Sequence, residues 1–112
     1  MQKPEIKQDP MYFLLREEKV QEFNKRRSAG ESCELQNSDL RGLDLRGLNA
    51  SGLDMRGAYL RQADLRGVDL SSTRLEGASI NGAKISGTYF PRELVPEEIT
   101  LSLIHGTRLR YR

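Results

Sequence analysis

The chain has 112 residues, with 18 lysines and arginines, 16 aspartates and glutamates, one histidine and a net charge of +2. That length bounds it to one domain, and the charge is balanced along it: residues 1–32 carry seven basic and six acidic groups, 33–90 seven and seven, and 91–112 four and three. This excludes a strong polycation or polyanion, and 6% aromatic residues leave an ordinary globular core thin.

No apolar run approaches the roughly 20 residues of a membrane span, and no charged-then-apolar leader opens the chain. The expectation is a soluble, cytoplasmic protein with no membrane partner. Cys33 is the only cysteine, so no internal disulfide can form; lying two residues before Leu35, on a register of mostly small side chains, it is read as a buried space-filler.

Taken in order, residues 1–8 are polar and read as a flexible start. Asp9 is placed to cap a helix and Pro10 to occupy its first position, so a helix is predicted to about Arg27, ended by Ser28, Ala29 and Gly30. Its apolar stripe of Tyr12, Phe13, Val20 and Phe23 is narrow, flanked by Arg16 and Arg27. Tyr12, Val20 and Phe23 are read as an N-terminal cap on the chain beyond residue 32, so that 1–32 forms a start plus capping helix; a helix that binds a partner is the alternative.

From residue 35 to 90 a large apolar side chain returns every fifth position: Leu35, Leu40, Leu45, Ala50 (the one small exception), Met55, Leu60, Leu65, Leu70, Leu75, Ile80, Ile85 and Phe90. On an α-helix five residues turn about 500°, which would wrap these side chains round the whole surface. On a straight strand, i and i+5 point to opposite faces. A short extended piece with a corner in every repeat keeps them all on one side. Glycine at 42, 47, 52, 57, 67, 77, 82 and 87, two residues after the apolar position, suits such a corner. A chain that bends the same way repeatedly closes into coils that stack, which is a β-solenoid. Two residues before the apolar position a second inward register is mostly small, while the flanking positions are polar, with Asp39, Asp44, Asp54, Asp64 and Asp69 before and Arg41, Arg46, Arg56, Arg61 and Arg66 after.

The units Ser38-Asp39-Leu40-Arg41-Gly42, Ala63-Asp64-Leu65-Arg66-Gly67 and Val68-Asp69-Leu70-Ser71-Ser72 resemble the pentapeptide-repeat family, whose pattern is small–Asp/Asn–Leu–Ser/Thr/Arg–Gly. The likeness runs through twelve units, from Cys33 to about Arg92. The resemblance implies a bacterial-type, right-handed quadrilateral β-helix with four pentapeptides per coil, hence about three coils over 33–92. It also places Arg41, Arg61 and Asn81 in one column beside Asp39, Tyr59 and Ser79, and Arg46, Arg66 and Ser86 in the next. Leu43, Leu48 and Leu53 depart from the pattern by being bulky where the family is small; Ala50 departs in the other sense, a local exchange of volume. Residues 20–26 resemble the short helix that often precedes the coils in this family.

After Phe90 the register stops at Pro91. Pro96, Glu97 and Glu98 open a second predicted helix carrying Ile99, Leu101, Leu103 and Ile104, with Gly106 at its end. Residues 107–112 alternate and could add a last strand. The segment 93–112 is therefore a C-terminal cap or, since related proteins can pair through this end, a homodimer contact through Ile99, Leu103 and Ile104.

The chemistry expected is binding. His105 and Cys33 are single residues far apart in the repeat, short of the several ligands a metal needs, and neither has a partner for acid–base or nucleophilic work. The glycine ladder is unlike a phosphate loop. No catalytic, metal or cofactor-binding residue is expected, and no cofactor; the chain reads as no enzyme. The expected function is a protein-interaction or adaptor module, its candidate contacts Arg41, Tyr59, Arg61, Arg46 and Arg66, since tyrosine and arginine commonly anchor interfaces. The alternative is a nucleic-acid role. Some members of the family mimic DNA at type II topoisomerases, but three coils span only about 15 Å without net negative charge. Direct nucleic-acid binding is equally disfavoured, because five arginines between residues 39 and 70 face five aspartates and leave little counterion release.

Overall fold

In the computed structural model, which describes residues 3–112, the chain returns onto itself every twenty residues. Parallel bridges join Asp39 to Tyr59 and Tyr59 to Ser79, Asp44 to Asp64 and Asp64 to Lys84, Asp54 to Arg74, and Asp69 to Tyr89. The backbone bonds between turns are short: Leu40 N–H to Tyr59 O is 2.9 Å, and Leu60 N–H to Ser79 O is 2.8 Å. Among the described residues the pairing consists of isolated bridges rather than continuous strands, because a corner every five residues leaves no run long enough for a ladder.

The corners follow from the glycine phase. Most close through an N–H donated back three residues, as from Ala63 to Leu60 O at 3.0 Å, with the third residue left-handed, as in a type II turn, at all but Ser72. Asn37 and Gln62 hold this conformation without being glycine, at φ of 60° each. Gly57 needs its bare Cα twice over, since φ is +69° and an added Cβ would run into the Asn37 side-chain oxygen.

The apolar ladder faces inward. From Leu35 to Ile80 every member is at most 1% exposed, each large one contributing about 1.5–3 kcal/mol of burial. Ile85 and Phe90, in the last coil, are only half-buried. The bulky Leu48 and Leu53 go inside with small Ala50, and there the backbone pairing lapses. Asn49 and Asp69 form no bridge with each other; instead Thr73 Oγ1 donates to Ala50 O at 2.7 Å and Gly52 N–H to Ser72 Oγ at 3.4 Å. Ser72, alone in its phase between residues 37 and 87, is not left-handed. Cys33 is half-buried rather than buried: it lies at the start of the first coil with Arg27 3.8 Å away, and burial pushes its thiol upward.

Where one N-terminal helix is predicted, two form: α1 (Pro10–Arg16) and α2 (Val20–Ser28). Asp9 caps α1 through Met11 N–H at 3.0 Å and also accepts from Glu34 N–H, tying the helix to the first coil. Glu18, left-handed at φ 59°, breaks the run and accepts from Asp44 N–H. Tyr12, Val20 and Phe23 are buried, joined by Met11 and Leu15, while Phe13 turns outward at 39% exposure. The edge of the first coil is bonded by this segment. Within the start read as flexible, Glu5 forms a parallel bridge with Ser38, its N–H donating to Asn37 O and its carbonyl accepting from Asp39 N–H, both at 2.9 Å, while residues 1 and 2 lie outside the described residues. Side chains of the helices bond the rest. Tyr12 Oη and Arg16 donate to Asp39 O, Asn24 Oδ1 accepts from Asn49 N–H, and Arg27 donates to Ser51 O.

At the other end α3 (Pro96–His105) stops at Gly106, φ 74°. Ser102 Oγ accepts from Ile80 N–H at 3.0 Å and Leu103 O from Gly82 N–H at 2.9 Å. Residues 107–112 form no strand, but Leu109 exchanges backbone bonds with Gly77 and Ala78, both at 2.8 Å. Ile99 and Leu103 pack partly against the core, whereas Ile104 is 62% exposed.

Candidate protein-contact surface

The twenty-residue return stacks Arg41, Arg61 and Asn81 on one wall with Tyr59 and Ser79, and Arg46 and Arg66 on the next. Within a repeat, aspartate and arginine straddle the inward apolar residue, so both point away from the core and meet. Arg41 grips Asp39 through two bonds of 2.9 Å, and Arg56 and Arg66 grip Asp54 and Asp64 at 2.9 and 2.7 Å. Arg46 does the same to Asp44 and also reaches Asp64, at 3.4 Å, across the stack.

These forks set the electrostatics. Hydrogen bonds from Arg46 and Arg66 hold the carboxyls of Asp44 and Asp64 down at about 2, and Arg46 is correspondingly raised. Asp39 is lowered by Arg41 in the same way. On the second wall Arg46 and Arg66 are both neutralised, which leaves Lys84 as its cation without an ion pair among the described residues. Arg61 differs. Its repeat carries Tyr59 where the others carry aspartate, and among the described residues its guanidinium makes no ion pair.

Arg108, for which no sequence pattern predicts this position, lies with its guanidinium 5.0 Å from the Tyr59 ring centre and donates to Tyr59 Oη at 2.6 Å and Gly77 O at 2.7 Å. Such a cation over a tyrosine face is held by the ring quadrupole. The alternation of residues 107–112 was the available signal; which wall the tail would reach was not encoded in it. Together Lys3, Arg41, Tyr59, Arg61 and Arg108 border a groove of about 390 Å³. Ile99, Leu103 and Ile104 lie apart from it on α3. Among the described residues no group of histidine, cysteine and carboxylate side chains could hold a metal ion, and no helix is long and apolar enough to cross a membrane.

Comparison with characterised proteins and with solved structures gives no match. The family model for pentapeptide repeats matches residues 31–62 and 54–90, with eight copies. Those residues are more than half of the chain and the same ones that return onto themselves every twenty positions, so the chain belongs to the pentapeptide-repeat family.

Proposed function

We propose that the chain is a non-enzymatic, cytoplasmic interaction module built as a right-handed, four-sided β-helix of about three coils over 33–92, closed by the segments 1–32 and 93–112. It engages another protein through the wall bearing Arg41, Tyr59 and Arg61, with Arg46 and Arg66 at its border. The observation that carries this reading is the bordered groove itself: an aromatic and several cations project from a stacked backbone, so little ordering is lost on binding. A nucleic-acid role is disfavoured because the arginine columns are largely matched by aspartates. The test is affinity capture from the native cells with wild type and with the combined Arg41→Glu, Tyr59→Ala, Arg61→Glu variant. Specific partner capture should be lost in the variant; unchanged capture rules this wall out.

A second reading, self-association through the C-terminal end, is favoured by one observation. In the middle coil Leu65 and Gly67 N–H groups bond to Lys84 and Ser86 carbonyls. Among the described residues their last-coil counterparts, on Ile85 and Gly87, have no partner, and half-buried Ile85 and Phe90 lie beside them. Such an open edge can pair with a second copy. Light scattering should then give a dimer, and Ile104→Asp, which alters an exposed side chain of the neighbouring helix, should weaken it; a monomeric wild type overturns this reading.

A further inference from the structure

Four repeats of this chain build the same device. An aspartate before the inward residue and an arginine after it form a two-pronged clasp, in Asp39–Arg41, Asp44–Arg46, Asp54–Arg56 and Asp64–Arg66, with Nη2 to Oδ2 distances of 2.7–2.9 Å. Arg61 is the same arginine on the same corner with its carboxylate missing. Its neighbours twenty residues away do not replace it: Arg41 above is a cation whose charge Asp39 already balances, and Asn81 below is neutral. The groove on its Tyr59 side contains no carboxylate, and the Asp39 that borders the groove on its other side is already engaged by Arg41 and Arg16. Lys3 and Arg108 also border it, and among the described residues neither makes an ion pair.

We propose that Arg61 closes its clasp on a carboxylate supplied from outside, so that the groove binds an acidic peptide segment of the partner protein. This rests on the reading of this wall as a protein-binding surface and names the chemistry it selects. Geometry favours a carboxylate: the corner that presents Arg61 is the one that, in four sister repeats, presents arginine to two coplanar carboxylate oxygens. Lys3 and Arg108 attract further acidic side chains of the same segment. A long polyanion fits less well, because on the adjoining wall Arg46 and Arg66 are already paired and Lys84 alone gives it no continuous positive track.

The experiment uses the full chain and fluorescence anisotropy with labelled peptides of alternating glycine and aspartate, with asparagine and phosphoserine analogues. Wild type should bind the aspartate peptide at least about tenfold tighter than the asparagine one, the scale of one charge-assisted hydrogen-bonded pair. Arg61→Gln should remove that preference. Tyr59→Asp should remove it too, by restoring the carboxylate within the repeat. Arg26→Gln, which breaks a two-pronged pair with Glu31 at α2, outside the groove, should leave it intact, with circular dichroism confirming that every variant folds. Equal binding of the aspartate and asparagine peptides, a preference that survives Arg61→Gln, or tighter binding of the phosphoserine peptide overturns the proposal. Partner capture lost with the triple variant but kept with Arg61→Gln overturns this inference while leaving the wall as the interface; capture kept by both overturns the wall itself.

Discussion

Gln62 occupies, at φ 60°, the backbone region that glycine fills in most neighbouring repeats. A side chain there costs about 1 kcal/mol or more against glycine, and no hydrogen bond of the Gln62 side chain offsets it among the described residues. Gln62→Gly should therefore raise stability by on the order of 0.5–1 kcal/mol, read as a higher urea midpoint at unchanged slope. Gly57→Ala should do the reverse, and more strongly, because it adds a contact with Asn37 to the same backbone strain. The aspartates give a prediction in pH. Asp44 and Asp64 titrate at about 2 in the folded chain, below the ~3.9 of an unfolded aspartate. As pH falls below about 4 the unfolded chain takes up protons first, so their stabilisation, complete above that pH, is lost as pH drops through about 2. Urea midpoints measured across that window should fall, Asp64→Asn should flatten the fall, and added salt should reduce it because these groups face solvent.

At the scale of elements, the two ends are held by different means. The N-terminal segment bonds the first coil through the Glu5 backbone and polar side chains of α1 and α2, whereas the C-terminal tail is held by the Leu109 backbone, by Arg108 and Tyr111, and by an ion pair to α3. Glu98 is 2% exposed, and Arg110 Nη2 donates to its Oε2 at 2.6 Å. Arg110→Ala leaves that carboxylate buried without its cation, which is costlier than losing the pair's attraction alone. The tail should then loosen. In hydrogen exchange the amides of Gly77 and Leu109, which bond across the tail, should lose protection while that of Tyr59, bonded between the first and second coils, keeps it. The existence of both terminal helices was legible from Asp9, Pro10, Pro96 and Gly106, residues whose effect is local. The break between α1 and α2 was not, because Glu18 is neither glycine nor proline. Its conformation goes with the bond its carboxylate makes to Asp44 N–H, a tertiary demand no local pattern carries. For the same reason the ring of Tyr59 was identifiable as an outward aromatic, but the tail arginine stacked on it was not.

At the scale of the molecule, Leu45, Leu65 and Ile85 form one column through the three turns of chain, and their burial grades from one end to the other. Leu45 and Leu65 are fully buried; Ile85 is only partly so. In a stack where each turn touches only its neighbours, a residue's contribution depends on having a turn on both sides. Leu65→Ala should therefore cost about 2–5 kcal/mol, as a cavity in a fully packed site does. Ile85→Ala should cost less than half of that, because Ile85 is only partly buried and water already occupies part of its surroundings. Three turns are also too few for the ends to melt independently, so circular dichroism and tyrosine fluorescence should report one coincident transition for both variants. The comparison becomes diagnostic when repeated over a range of protein concentrations. If the free edge at Ile85 and Gly87 is covered by a second copy, the cost of Ile85→Ala rises towards that of Leu65→Ala as concentration increases, because the dimer buries what the single chain leaves open. A ratio that stays fixed across the range would mean that this end faces water, leaving the wall around Arg61 as the surface on which the interaction reading must stand.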